Sequence, residues 1–209
     1  MIRTNRTRTN YVMQQLMDAE SQYIKHWPEG VTSLKISLEK RLQNVAAWPV
    51  GPGGALREYF PDNCDFYVAH NWGNHRMLRR AEKLKGEKDT AYWRHLMEII
   101  NMAGLSPDRS FIGNALPGIK SGPAAGSMSK DSAYLEDSRN CFLAQLQIIK
   151  PRRIIILGDA SEGLLKKFLK SIDHNIDEIK IMHPSTRSIN WNGTREVWAK
   201  RQANKIMLQ

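Results

Sequence analysis

Cysteine is nearly absent from this chain. Cys64 and Cys141 are the two present among 209 residues, too few for a disulfide framework, a four-thiolate zinc site or a cysteine-ligated iron–sulfur cluster. Acidic residues are in deficit as well: 21 Asp and Glu against 31 Lys and Arg leave a net charge of +10. That excess puts polyanions at the head of the partners, nucleic acid first and an acidic membrane surface last, with a merely solvated basic face as the plain alternative. Long apolar runs are missing too, and none approaches the roughly 20 residues that span a bilayer. The longest uncharged stretch, Leu42–Leu56, is interrupted by Pro49, Gly51, Pro52, Gly53 and Gly54 and reads as a turn-rich connection. No apolar segment follows the basic, polar Met1–Asn10, so no targeting signal is expected, and the chain is expected to be a cytoplasmic monomer without membrane attachment. No internal repeat is visible.

What is present is enough for one domain over residues 1–209, long enough to bury a full core without staples. Residues 1–10 read as a flexible basic arm and 11–60 as a helical cap. Within the cap, one helix is predicted over Tyr11–Trp27, ended by Pro28 and Gly30, and a second over Val31–Trp48. From Asp65 the texture changes to short β-branched or aromatic runs alternating with helical patterns, the sign of a parallel α/β sheet. Strands are predicted at Asp65–His70, Ser110–Asn114, Arg153–Gly158 and Glu178–His183. Helices are predicted at Thr90–Ala103, closed by Gly104, at Leu135–Ile149, at Glu162–Ile172 with Ser161 or Asp159 as N-cap, and at Thr194–Met207. The expected fold is a three-layer α/β/α sandwich with a four-stranded parallel sheet and N-terminal helices, its core spanning residues 65–190. Tyr67, Trp93, Phe111 and Phe142 fall within these patterns and are expected in the core.

Open α/β sheets place their chemistry outside the carboxyl ends of the strands. The residues there are His70-Asn71-Trp72-Gly73-Asn74, Asn114-Ala115-Leu116-Pro117-Gly118, Gly158-Asp159-Ala160 and His183-Pro184-Ser185-Thr186-Arg187. The stretch Gly113–Ser132 is long and rich in Gly, Pro and Ser, and structureless loops of that length are usually functional. A basic run of Arg76, Arg79, Arg80, Lys83 and Lys85 follows the first of these segments, suited to phosphates or to plain solvation. His70 and His75 with Asn71 and Asn74 fit no helix-face ligand pair, and no second ligand cluster accompanies them, so no metal and no other cofactor is expected.

Taken in order, AHNWGN, FIGNALPG, CFLAQLQIIKPRRIIILGDA and HPSTRS resemble the uracil-DNA glycosylase superfamily from about Asp65 to Asn190. The first and last are closest to its mismatch-specific and single-strand-selective branches. The resemblance implies a role for each matching position. Asn71 falls where those branches place an Asn that positions the attacking water. Asn114 matches the Asn that reads the flipped base, accepting from N3–H of uracil and donating to O4. Cytosine presents the reverse pattern and would leave both groups unpaired, at about 1–3 kcal/mol for each buried group. His183 matches the histidine facing O2, where a prepositioned donor stabilises the departing base. His70, Trp72 and Gly73 are placed with Asn114 around the base. Gly73 stands where archetypal uracil enzymes have a tyrosine that blocks a 5-methyl group, so 5-substituted uracils or mismatched thymine are admitted. Ser185 and its neighbouring N–H groups are assigned to a phosphate, with Arg187, Arg76, Arg79 and Arg80 on the DNA. Cys141 coincides with a cluster cysteine of the thermophile-type branch, but its companions are missing and no iron–sulfur cluster is implied.

The sequence departs from the family at two places in the first motif: Ala69 replaces a glycine and Trp72 a proline. Plain readings stand beside the functional ones. Asn71 also suits a loop at positive φ or a helix cap, Asn114 a turn, and His183 a bond to a backbone carbonyl. Trp72 suits either a stacking platform for the base or core filling. The expected function is a DNA glycosylase that hydrolyses the N-glycosidic bond of uracil or a related flipped base and leaves an abasic site. The alternative is a catalytically inactive member that binds nucleic acid or a nucleotide.

Overall fold

A computed structural model describes residues 3–33, 63–71, 76, 91–106, 109–121, 125–170, 172, 175–185 and 193–208. Its centre is a four-stranded sheet of β2 (Asp65–Ala69), β3 (Ser110–Asn114), β5 (Arg153–Leu157) and β6 (Asp177–Ile181), in the order β3-β2-β5-β6 and parallel throughout. Helices among the described residues include α1 (Arg3–Tyr23), α2 (Ala91–Met102), α3 (Ser132–Ile149), α4 (Asp159–Leu169) and α5 (Arg195–Met207). The four strands agree with the predicted ones to within two residues at each end.

Period-two alternation sorts the strand side chains into two cores. Phe66, Val68, Phe111, Ile154 and Ile156 face α1, α3 and α4. Tyr67, Ala69, Ile112, Ile155, Leu157, Ile179 and Ile181 face α2 and α5. The result is the expected α/β/α sandwich, with Tyr67, Phe111 and Phe142 buried as predicted. On the first face, Phe66 packs at 4.9 Å from Phe111 and 5.8 Å from Phe142 between ring centroids, contacts that add to simple area burial. Gly113 belongs to this packing, because a Cβ there would lie 3.0 Å from the Phe66 ring.

Strand order and handedness explain each other. The chain leaves β2 for β3 on one side through α2, then returns past β2 to β5 and β6 through α3 and α4. Right-handed crossovers running in opposite directions must lie on opposite faces of the sheet, as these do. The direction of winding therefore reverses between β2 and β5, and ligands of open α/β sheets bind at that crevice.

The N-terminal segment differs from its sequence-based description. Helix α1 starts at Arg3, inside the stretch read as an arm, and ends at Tyr23, with Val12 and Leu16 buried in the sheet core. Val31 and Thr32, predicted to open a second helix, instead form β1 and pair antiparallel with β4 (Ile119–Lys120). That partner lies far along the chain and overrides the local pattern; the rest of the predicted helix, from Leu34, is outside the described residues. The stretch Gly113–Ser132, expected to be a structureless loop, contains the end of β3, β4 and a 3₁₀ helix at Ala125–Lys130. Residues 115–119 are buried, and Gly118 at φ +91° meets Trp27, where a Cβ would lie 2.5 Å from Cζ3. The Tyr134 hydroxyl donates to the Pro117 carbonyl, and its ring lies 5.9 Å from that of Trp27. The stretch after Asn114 is thus clamped by the N-terminal segment on one side and α3 on the other.

Candidate active site

Parallel strands bring their carboxyl ends to one edge, so His70 and Asn71 after β2, Asn114 at the end of β3, Gly158 after β5 and His183 after β6 share that edge. The exits of β2 and β3 are tied together beyond the last strand pair, Ala69 with Asn114. There Ala115 N–H donates to the Ala69 carbonyl at 2.9 Å, and Leu116 N–H to the His70 carbonyl at 3.0 Å. Asn114 is buried and His70 and Asn71 are half-buried. The Asn71 amide nitrogen lies 2.8 Å from His70 Nδ1. An amide nitrogen can only donate, so His70 Nδ1 accepts and its ring proton sits on Nε2.

His183 is held from several elements. Gly158 N–H donates to the Ile181 carbonyl at 2.9 Å, and Met182 N–H donates to Gln202 Oε1 at 2.9 Å from the buried face of α5. His95, buried on α2, lies with Nδ1 2.9 Å from the Pro184 carbonyl; a carbonyl only accepts, so Nδ1 carries the proton and donates. Ser185 N–H donates to His183 Nδ1 at 3.2 Å. That bond leaves Nε2–H as the donor of a neutral His183. Burial lowers the pKa of His183 below the ordinary value, and nearby His70 lowers it further; burial lowers that of His70 as well. The crevice thus holds neutral donors and acceptors at neutral pH. Tyr92, on α2, places its ring 5.5 Å from that of His183.

Gly158 carries the tightest constraint at this edge. Its φ of 86° and ψ of 171° lie in a region that is essentially glycine's alone, and a Cβ would stand 2.9 Å from His183 Cβ. Gly158→Ala is expected to cost about 1–3 kcal/mol of stability from the backbone alone, with His183 displaced in addition. Urea unfolding reads the loss, and a variant as stable as the native chain would remove the argument for close packing of His183 on Gly158. The same geometry corrects the predicted start of α4: Gly158 is the N-cap, without a side-chain bond, and Ser161 Oγ instead donates back to the Leu157 carbonyl at 2.8 Å.

Of the other residues singled out in the sequence, Ser185 is half-buried with its N–H on His183, and Arg76 is exposed. Trp72, Gly73, Arg79, Arg80 and Arg187 lie outside the described residues. Among those described, no three His, Cys, Asp or Glu side chains gather as metal ligands, and no helix is long and apolar enough to cross a membrane. Cys141 is buried and its thiol pushed up to about 12, by desolvation first and by Glu20 second, so it is not a reactive thiolate at neutral pH. The sequence reading missed Tyr92, His95 and Gln202. The available signal was a polar residue in an apolar helix stripe: His95 among Leu96 and Ile99, Gln202 among Trp198, Ala199 and Ile206.

The uracil DNA glycosylase superfamily model matches residues 83–207, more than half of the chain, and the chain belongs to that superfamily. The superfamily generally hydrolyses N-glycosyl bonds and acts on DNA. The matched region contains Asn114, Gly158 and His183, and it begins after His70 and Asn71. No curated protein matches the chain.

Proposed function

We propose that the chain is a monofunctional DNA glycosylase that hydrolyses the N-glycosidic bond of uracil or a related base flipped out of DNA, leaving an abasic site. The observation that carries this reading is the bond from Ser185 N–H to His183 Nδ1, which makes Nε2–H of a neutral imidazole the donor at the crevice. Bond cleavage sends the base away with the electron pair and leaves an oxocarbenium-like sugar. A donor already in place at O2 stabilises the charge developing on the base without having to give up its proton. Asn114 pairs with N3–H and O4. Asn71 orients the water that attacks C1′, and the surplus of Lys and Arg holds the phosphates.

End-labelled oligonucleotides carrying U, U opposite G, T opposite G or hypoxanthine, single- and double-stranded, test the reading. Alkali-labile product is expected on at least one uracil substrate. A protein that binds DNA in a salt-dependent way but yields no product on any of them would instead be a silent binding module, the reading that Ala69 and Trp72 favour.

A further inference from the structure

His70 stands one residue before Asn71, at the point where the sheet's winding reverses. Its carbonyl is fixed by Leu116 N–H and its ring is half-buried. A primary carboxamide has two ends of similar shape and opposite hydrogen-bonding character. A water about to attack C1′ must pass a proton toward an acceptor, so it is oriented by the oxygen end and misoriented by the nitrogen end. Something must hold the Asn71 amide in one of its two orientations.

We propose that His70 is a positioning residue for Asn71: its bare Nδ1 accepts from the amide nitrogen and thereby fixes the amide oxygen as the end presented to the attacking water. The assignment rests on the glycosylase reading above. It follows from the 2.8 Å approach of Asn71 Nδ2 to His70 Nδ1, because that approach is a bond in one protonation state alone. When a proton is added at Nδ1, two donors face each other. The amide must then turn by half a revolution about its Cβ–Cγ bond to offer its oxygen to the imidazolium, and the nitrogen takes the oxygen's former place. His70 is therefore a proton-controlled latch on the water-orienting group.

Burial is the one cause of the His70 shift, with no carboxylate among the described residues contributing, while His70 in turn lowers the pKa of His183, at the exit of β6. Burial keeps His70 neutral to below its ordinary pKa. The latch is accordingly closed at neutral pH and opens on acidification. Both imidazoles gain a proton on acidification, so an acid limb in kcat cannot by itself be given to either, and the test needs a site-resolved readout.

Protein labelled with ¹⁵N-histidine supplies that readout through long-range ¹H–¹⁵N spectra between pH 5 and 8. His70 is expected as the Nε2–H tautomer at pH 7.5, and Asn71→Ala is expected to relax that preference. In single-turnover kinetics, His70→Leu is expected to lower the rate about 10-fold with substrate affinity changed less than about 2-fold. His70→Asn, whose Oδ1 takes the position of Nδ1 but does not titrate, is expected to recover most of that rate and to lack the His70 portion of the acid limb. An Nδ1–H tautomer at His70, or a well-folded His70→Leu protein as fast as the native chain, overturns the latch. Failure of the glycosylase reading is distinguishable: the native protein would turn over no base, while the tautomer in the spectra would still decide whether His70 holds Asn71.

Discussion

His183→Ala is expected to lower the single-turnover rate on the preferred uracil oligonucleotide by about 10²–10³, the loss typical of removing one prepositioned donor to a developing anion. On the proposed reading, Asn71→Ala is expected to lower the rate by about 10²–10⁴, as for groups that direct a proton-transferring nucleophile. Both side chains are neutral at pH 7, so neither substitution changes the charge presented to phosphates. Fluorescence anisotropy should therefore report nearly native DNA affinity for both variants, with the same salt slope. A His183→Ala protein within a factor of about ten of the native rate would mean that the departing base is stabilised elsewhere. The pH dependence has a definite sign. His183 has a pKa below the ordinary value, so the neutral Nε2–H donor bonded as described persists through neutral pH. Protonation on further acidification places a proton on Nδ1 and breaks the bond from Ser185 N–H.

Asp65 governs the second large effect, one of stability. Its carboxylate is 2% exposed and accepts from Arg152 Nε at 2.7 Å and Nη2 at 3.0 Å, and from Arg153 Nε at 2.7 Å. Arg153 is itself mostly covered and reaches the Ile206 carbonyl at the end of α5. Arg152, nearly half exposed, can turn to water if the carboxylate is lost, but Arg153 cannot. Asp65→Ala is therefore expected to cost about 3 kcal/mol through the stranded guanidinium, or about 6–12 °C in Tm for a chain of this size. Asp65 opens β2 at the sheet edge opposite the crevice, so below the transition the variant should keep its native rate constants. Burial acts to raise the Asp65 pKa, but the two guanidiniums overcome it and hold the carboxyl below its ordinary value. A carboxylate lowered in the folded state contributes its full stability above pH about 4 and loses it as the pH falls through its own depressed pKa. Native protein should therefore lose more Tm than Asp65→Ala on going from pH 5 to pH 2.5.

The sheet was legible because each strand reads as a short apolar run bounded by turn residues, and Ser110–Asn114 matches to the residue. The ends of the strands were legible for the same reason, and they brought His70, Asn71, Asn114 and His183 to one edge. The misses share a cause in distant contacts. Val31 and Thr32 are extended because β4 lies beside them, and nothing in the residues around Val31 encodes Ile119. The N-cap of α4 was misplaced because Asp159 and Ser161 are good capping residues, whereas the turn is set by the close approach of Gly158 to His183. The bond between His70 and Asn71 was invisible, since side-chain direction after a strand depends on what packs around it.

The clamp on the stretch after Asn114 bears on how the crevice is assembled. Residues that must meet at the crevice leave the ribosome far apart in time. Strand β1 is synthesised long before β4, and β2 waits inside the sheet for β5 and β6, which are made only after β3, β4 and α3. Such non-local pairing is closed late. A nascent or C-terminally truncated chain that stops before β6 would carry Asn71 and Asn114 without His183, so on the proposed reading the site is incomplete until β6 and the residues after it have been made.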